Sequence, residues 1–96
     1  MATPLLRVRI ISPQQVILDT KAISVSSKNS QGTFDILPLH ANFMTVIENH
    51  PIIIRPLISE QQKQEKLTFN FPVAIIYNSL NTVNIYTYLQ PDQEKN

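Results

Sequence analysis

Few residues of this chain could do chemistry, and their spacing does not assemble them. His40 and Asp35, with one of several serines, would supply a base, its orienting carboxylate and a nucleophile for acyl transfer. No serine has a glycine beside it, so the strained elbow that exposes such a nucleophile is missing. His40, His50, Asp35 and Glu48 carry atoms that a divalent cation accepts, yet the two histidines are ten residues apart rather than closely paired. The absence of cysteine excludes thiolate catalysis, thiolate-held zinc and disulfides. A single glycine cannot build a phosphate-cradling loop. Tyr77, Tyr86 and Tyr88 could stack nucleic-acid bases, but the eight Lys and Arg are scattered and the net charge is only +1. The reading is therefore no catalytic residue, no metal and no cofactor. Binding to another protein fits these residues better.

The elements that must carry such a surface are written as period-two alternation. Leu6, Val8 and Ile10 share one strand face while Arg7 and Arg9 take the other. Ser12-Pro13-Gln14-Gln15 reads as a turn, followed by a short strand Val16-Ile17-Leu18 that ends at Asp19-Thr20. Ile23 and Val25 alternate with Ser24 and Ser26, then Lys28 to Gly32 forms a polar loop, and Phe34 and Ile36 make the next inward pair. Phe43 to Ile47 and Ile52 to Leu57 read as further strands, with Pro56 confining the second to an edge or a bulge. Ser59 to Lys66 reads as an exposed hairpin loop. Leu67, Phe69 and Phe71 alternate with Thr68 and Asn70, and Val73 to Tyr77 and Val83 to Leu89 are joined by an Asn- and Ser-rich turn. In the last strand Val83, Ile85, Thr87 and Leu89 face one way, and Asn84, Tyr86 and Tyr88 the other.

No amphipathic helix is visible. The pattern predicts an all-β fold, a compact sandwich or flattened barrel of about eight to ten short, mostly antiparallel strands. Ninety-six residues make one domain, with an ordered core expected from about residue 5 to 90 and a polar tail from Pro91 to Asn96. An apolar fraction of 43% and a charged fraction of 16% suit a globular chain. The longest apolar runs fall far short of the roughly 20 residues a membrane helix needs. Met1-Ala2-Thr3-Pro4 lacks the basic start and apolar stretch of a signal peptide. The expectation is a cytoplasmic protein that meets a membrane only through a partner.

The only glycine stands at position 32, at the head of Gly32-Thr33-Phe34-Asp35-Ile36-Leu37-Pro38-Leu39-His40-Ala41. This stretch carries a resemblance. From Leu6 to about Leu89 the chain resembles the N-terminal β-sandwich domain of the epsilon subunit of F-type ATP synthases, called delta in mitochondria. Val8-Arg9-Ile10-Ile11-Ser12-Pro13 matches the family's opening strand and Ser-Pro turn. Gln31 to Thr45 follows, without a gap, its order of polar residue, glycine, alternating strand, Pro-x-His-Ala turn, apolar strand and threonine. Departures are Asp35 for a frequent glycine, Leu39 for a small residue, Asn42 for a second proline, and Phe71-Pro72 for paired glycines. They suggest a diverged member or a paralogue, with different turn geometry at Pro38 to His40. The family's C-terminal helical hairpin has no counterpart here, so its regulatory inhibition and ATP binding are not expected.

The resemblance implies a non-catalytic rotor part that sits at the foot of the central stalk. It would dock on the gamma subunit and rest on the c ring. By position, Lys28, Ser30, Gln31 and Gly32, with Pro38, Leu39 and His40, would face the c ring. Physical reasoning rather than motif assigns Phe43, Met44, Tyr86 and Tyr88 to the gamma side, as apolar or amphipathic area on outward faces. A stand-alone adaptor derived from the same domain, and a small barrel binding oligonucleotide or oligosaccharide through Tyr86, Tyr88 and Arg9, stay open.

Overall fold

A computed structural model describes residues 4–57 and 66–88. Every regular element among them is a strand: β1 (Leu6–Ile11), β2 (Val16–Asn29), β3 (Gly32–Ile36), β4 (Phe43–Glu48), β5 (Pro51–Pro56), β6 (Leu67–Asn70), β7 (Val73–Ser79) and β8 (Thr82–Thr87). The expected loop from Ser59 to Lys66, apart from its last residue, the position of Leu89 and the polar tail lie outside the described residues.

The strands form one hydrogen-bonded sheet in the order β4-β7-β8-β1-β2-β5-β6, with β3 also paired to β2. All pairs are antiparallel except β1 with β8. The sheet curls until β4 comes back across the β2–β3 hairpin. There Asn29 Nδ2 donates to Thr45 Oγ1 at 2.9 Å, and Phe34 meets Phe43 edge-on, ring centroids 5.7 Å apart. Inward residues from both ends of the sheet thereby close on one core, as the alternation predicts. Leu6, Val8, Ile10, Val25, Ile36, Ile47, Ile52, Ile54, Ile76, Val83 and Ile85 are all buried.

The strand end expected at Asp19-Thr20 is overturned, and the loop expected from Lys28 to Gly32 narrows to Ser30-Gln31. β2 runs 14 residues through Asp19-Thr20-Lys21 without a break. Its first half pairs with β1 and its second half with β3 and β5. The polar triplet is strand because its charges are used across the sheet. Asp19 stands opposite Arg9 and takes two hydrogen bonds from Arg7, Nε to Oδ1 at 3.1 Å and the terminal nitrogen to Oδ2 at 2.9 Å. Turn-forming composition loses to a cross-strand ion pair here. Pro56 ends its strand beside a register shift between Ala22 and Ser24, the bulge that a proline needs.

Candidate interface surfaces

Three surfaces hold the residues singled out above. The first is the tip of the β2–β3 hairpin. Asn29 pairs with Gly32, leaving Ser30-Gln31 as a two-residue loop. The Asn29 side chain works twice: Oδ1 accepts the Gln31 N–H at 2.8 Å, while Nδ2 reaches Thr45. Gly32 sits at φ 124°, a region closed to other residues, and a Cβ built there would meet nothing within 4 Å. Its glycine is required by the dihedral, not by crowding. Lys28, Ser30 and Gln31 are exposed.

The second surface is the turn at Leu37-Pro38-Leu39-His40. The His40 N–H donates to the Leu37 carbonyl at 3.1 Å, and Leu39 lies at φ 72°. Proline at the second position with positive φ at the third is the type II pattern, in which glycine usually takes the place of Leu39. The turn is held from outside. Leu39 N–H donates to Asn81 Oδ1 at 2.7 Å, and buried Asn78 donates through Nδ2 to the Ala41 carbonyl at 3.0 Å. In return, Asn42 Oδ1 accepts the Leu80 N–H at 3.0 Å. Leu80 and Asn81, at φ 52° and 65°, are the two central residues of the tight β7–β8 hairpin. Two turns far apart in sequence thus grip each other. His40 itself is exposed, with Nδ1 2.8 Å from the Ala41 carbonyl and its ring tilted over Phe43 at 5.1 Å.

These first two surfaces stand at opposite ends of β3 rather than in one cluster. Each is tied to the core by its own route, the tip through Thr45 and the turn through Asn78 and Asn81.

The third surface is the outward face of β4, β7, β8 and β1. Met44, Tyr86 and Tyr88 do face out, with 64%, 41% and 73% of their area exposed. Phe43 does not join them. It takes the inward parity of β4 and is half-buried between Phe34 and the core, because Thr45 and Ile47 share its face. Val46 and Val73, which the sequence reading missed, and Tyr77, which it weighed only for base stacking, extend this face: Met44 lies opposite Tyr77, Val46 opposite Ile75, and Ile75 opposite Tyr86. A shallow groove of about 260 Å³ crosses it, lined by Ile11, Pro13, Val73, Ile75, Tyr86 and Tyr88. The signal was present in the runs Phe43 to Ile47 and Val73 to Tyr77, where both parities are largely apolar, the mark of a strand covered on both faces.

Among the described residues, His40 and Asp35 do not meet as a catalytic pair would. Asp35 accepts its hydrogen bond from Ser26, while His40 is turned to its own loop. Among the described residues no three His, Asp or Glu side chains converge as a metal site would require. Arg7 and Arg9 share Asp19, with Arg9 Nε at 3.6 Å, so a single carboxylate offsets one of the two cations on the face bearing the tyrosines. The hydrogen bonds from Arg7, with the charges of Arg7 and Arg9, hold the Asp19 carboxyl below its ordinary range. No helix among the described residues is long and apolar enough to cross a membrane.

Known proteins share this arrangement. The family model described as the ATP synthase, Delta/Epsilon chain, beta-sandwich domain matches residues 5–86. The ATP synthase epsilon chain of Ureaplasma parvum serovar 3 is 37% identical over 59 residues, which cover 62% of this chain and 43% of that one. The epsilon chain of Ureaplasma urealyticum serovar 10 is 36% identical over a stretch of the same coverage. The match thus spans less than half the length of these relatives.

Among solved structures, a chain of the Euglena gracilis mitochondrial ATP synthase superposes with a TM-score of 0.77 at 13% identity, covering 95% of this chain and 56% of that one. A chain of the Tetrahymena thermophila central stalk and c-ring assembly gives 0.69 at 14%, covering 93% and 67%. At such identities the likeness is one of fold. With the family model spanning nearly all of the described strands, the chain belongs to the delta/epsilon family of ATP synthases, as its β-sandwich domain.

Proposed function

We propose that this chain is a non-catalytic subunit of the central stalk of an F-type ATP synthase, coupling rotation of the membrane c ring to the gamma subunit and the catalytic head. The family match over residues 5–86 carries this reading. The fold supports it physically. An adaptor that passes torque needs surfaces that do not yield, and a close-packed core resists deformation. The hairpin tip around Gln31 and the Pro38-Leu39-His40 turn face the ring; the outward face bearing Met44, Tyr77, Tyr86 and Tyr88 meets gamma. The subunit has no substrate or cofactor of its own, works on the cytoplasmic side, and touches the membrane only through the complex. Co-purification with the gamma subunit and c ring of the same source tests the reading. Stoichiometric retention is expected. A chain that elutes alone, with the rotor intact without it, would make it a stand-alone adaptor of the same fold.

A further inference from the structure

Leu39 and Leu80 are the two most exposed large apolar residues of the described chain, with 77% and 83% of their area open to water. Exposure alone says little, since single surface leucines are common. The backbone adds a second observation. Both residues lie at positive φ, 72° and 52°, where a bulky side chain is disfavoured and glycine or asparagine is at ease. Each therefore sits in the wrong place twice, for solvent and for its dihedral. Each is also held there from outside, Leu39 by Asn81 Oδ1 and Leu80 by Asn42 Oδ1. Held strain of this kind points from structure to use.

We infer that Leu39 and Leu80 form a pair of apolar pegs, presented on two mutually latched turns, that insert into an apolar pocket of the partner protein on the ring side of the stalk. The inference rests on the proposed function for the identity of that partner, and it adds Leu80, which no sequence motif singled out. A protein pocket is the occupant that the surroundings favour. A bilayer surface is disfavoured because neither turn bears Lys or Arg, and nearby Arg7, across from Thr82, is bound to Asp19. A second copy of the chain is disfavoured because two leucines offer far less area than a stable dimer buries. Small apolar anchors seated in a partner's pocket are how a few residues come to dominate an interface.

The test uses the double substitution Leu39→Asn with Leu80→Asn, which relieves the dihedral and removes the pegs. The probe is the gamma subunit on its detergent-solubilised c ring, freed of its own delta/epsilon chain. The variant is expected to melt a few degrees higher than the parent, yet to bind the rotor about 30-fold or more weakly. The matching Leu→Met pair, which keeps apolar bulk, should bind within about threefold of the parent. Three results would overturn the inference: a variant that melts several degrees lower, equal rotor binding by parent and variant, or leucine-dependent binding to phosphatidylglycerol vesicles or to a second copy. If parent and variant both fail to bind the rotor, the coupling role falls as well; if both bind equally, only the pegs do.

Discussion

Asn81 Oδ1 accepts the backbone N–H of Leu39 at 2.7 Å, across 42 positions of sequence. One uncharged side chain thereby fixes the angle at which a distant turn leaves the sheet. The same residue holds φ 65° in its own hairpin, and its carbonyl accepts the Arg7 N–H at 2.9 Å. Its replacement separates these roles. Asn81→Gly keeps the dihedral and loses only the bond, costing about 1 kcal/mol. Asn81→Ala adds backbone strain and costs about 2 kcal/mol. Urea midpoints should rank parent, Gly, Ala in falling order; Ala equal to Gly would remove the dihedral argument.

Gly32 offers a cleaner separation of strain from crowding. Because nothing lies within 4 Å of a built Cβ, Gly32→Ala should cost about 1–3 kcal/mol entirely through φ. Backbone amide shifts should move only around Ser30 to Thr33, while the core amides hold their positions.

Asp19 makes stability depend on pH at the acidic end. Its carboxyl is held below the ordinary value, chiefly by the hydrogen bonds from Arg7. The folded chain therefore binds fewer protons than the unfolded one in the window under the ordinary carboxylate value of about 4. The contribution is complete above that value and fades as pH falls through the lowered one. Melting curves of Asp19→Asn should start lower than the parent at pH 7 and decline less between about pH 4 and pH 2.

Gln31 and His40 should separate in an alanine test. Gln31 is exposed, and only its backbone N–H is tied down, so Gln31→Ala should leave the melt unchanged while loosening attachment to the ring. His40 adds a ring contact to Phe43 and a bond to its own loop, so His40→Ala should cost about 0.5–1 kcal/mol as well as attachment. A retained rotor affinity in both variants would move the ring contact away from these positions.

Where inward residues recur every second position, the strand and its buried face were legible in the sequence. Leu6, Val8 and Ile10 in β1, and Val83, Ile85 and Thr87 in β8, are buried as their spacing requires. Legibility failed where a residue's role depended on a remote partner. Asp19-Thr20-Lys21 has turn composition, and only the arginines on the neighbouring strand show why it continues. Phe43 and Met44 are equally apolar, so the parity of β4 shows only in its later residues, with Thr45 reaching Asn29 and Ile47 buried on the inward face and Glu48 exposed on the other. The latch through Asn78, Asn81 and Asn42 was invisible for the same reason. Asparagine in a turn usually bonds its own backbone, and here all three reach carbonyls or amides about 40 positions away.

The parallel pairing of β1 with β8 has a consequence for biogenesis. During synthesis β1 waits for β8, with β2 to β7 made in between, before its second edge is satisfied. Until Thr87 has emerged, the centre of the sheet is an open seam flanked by apolar side chains. Closure of so non-local a contact is slow and leaves the nascent chain prone to clumping. Synthesis in step with a holdase is the regime this topology favours.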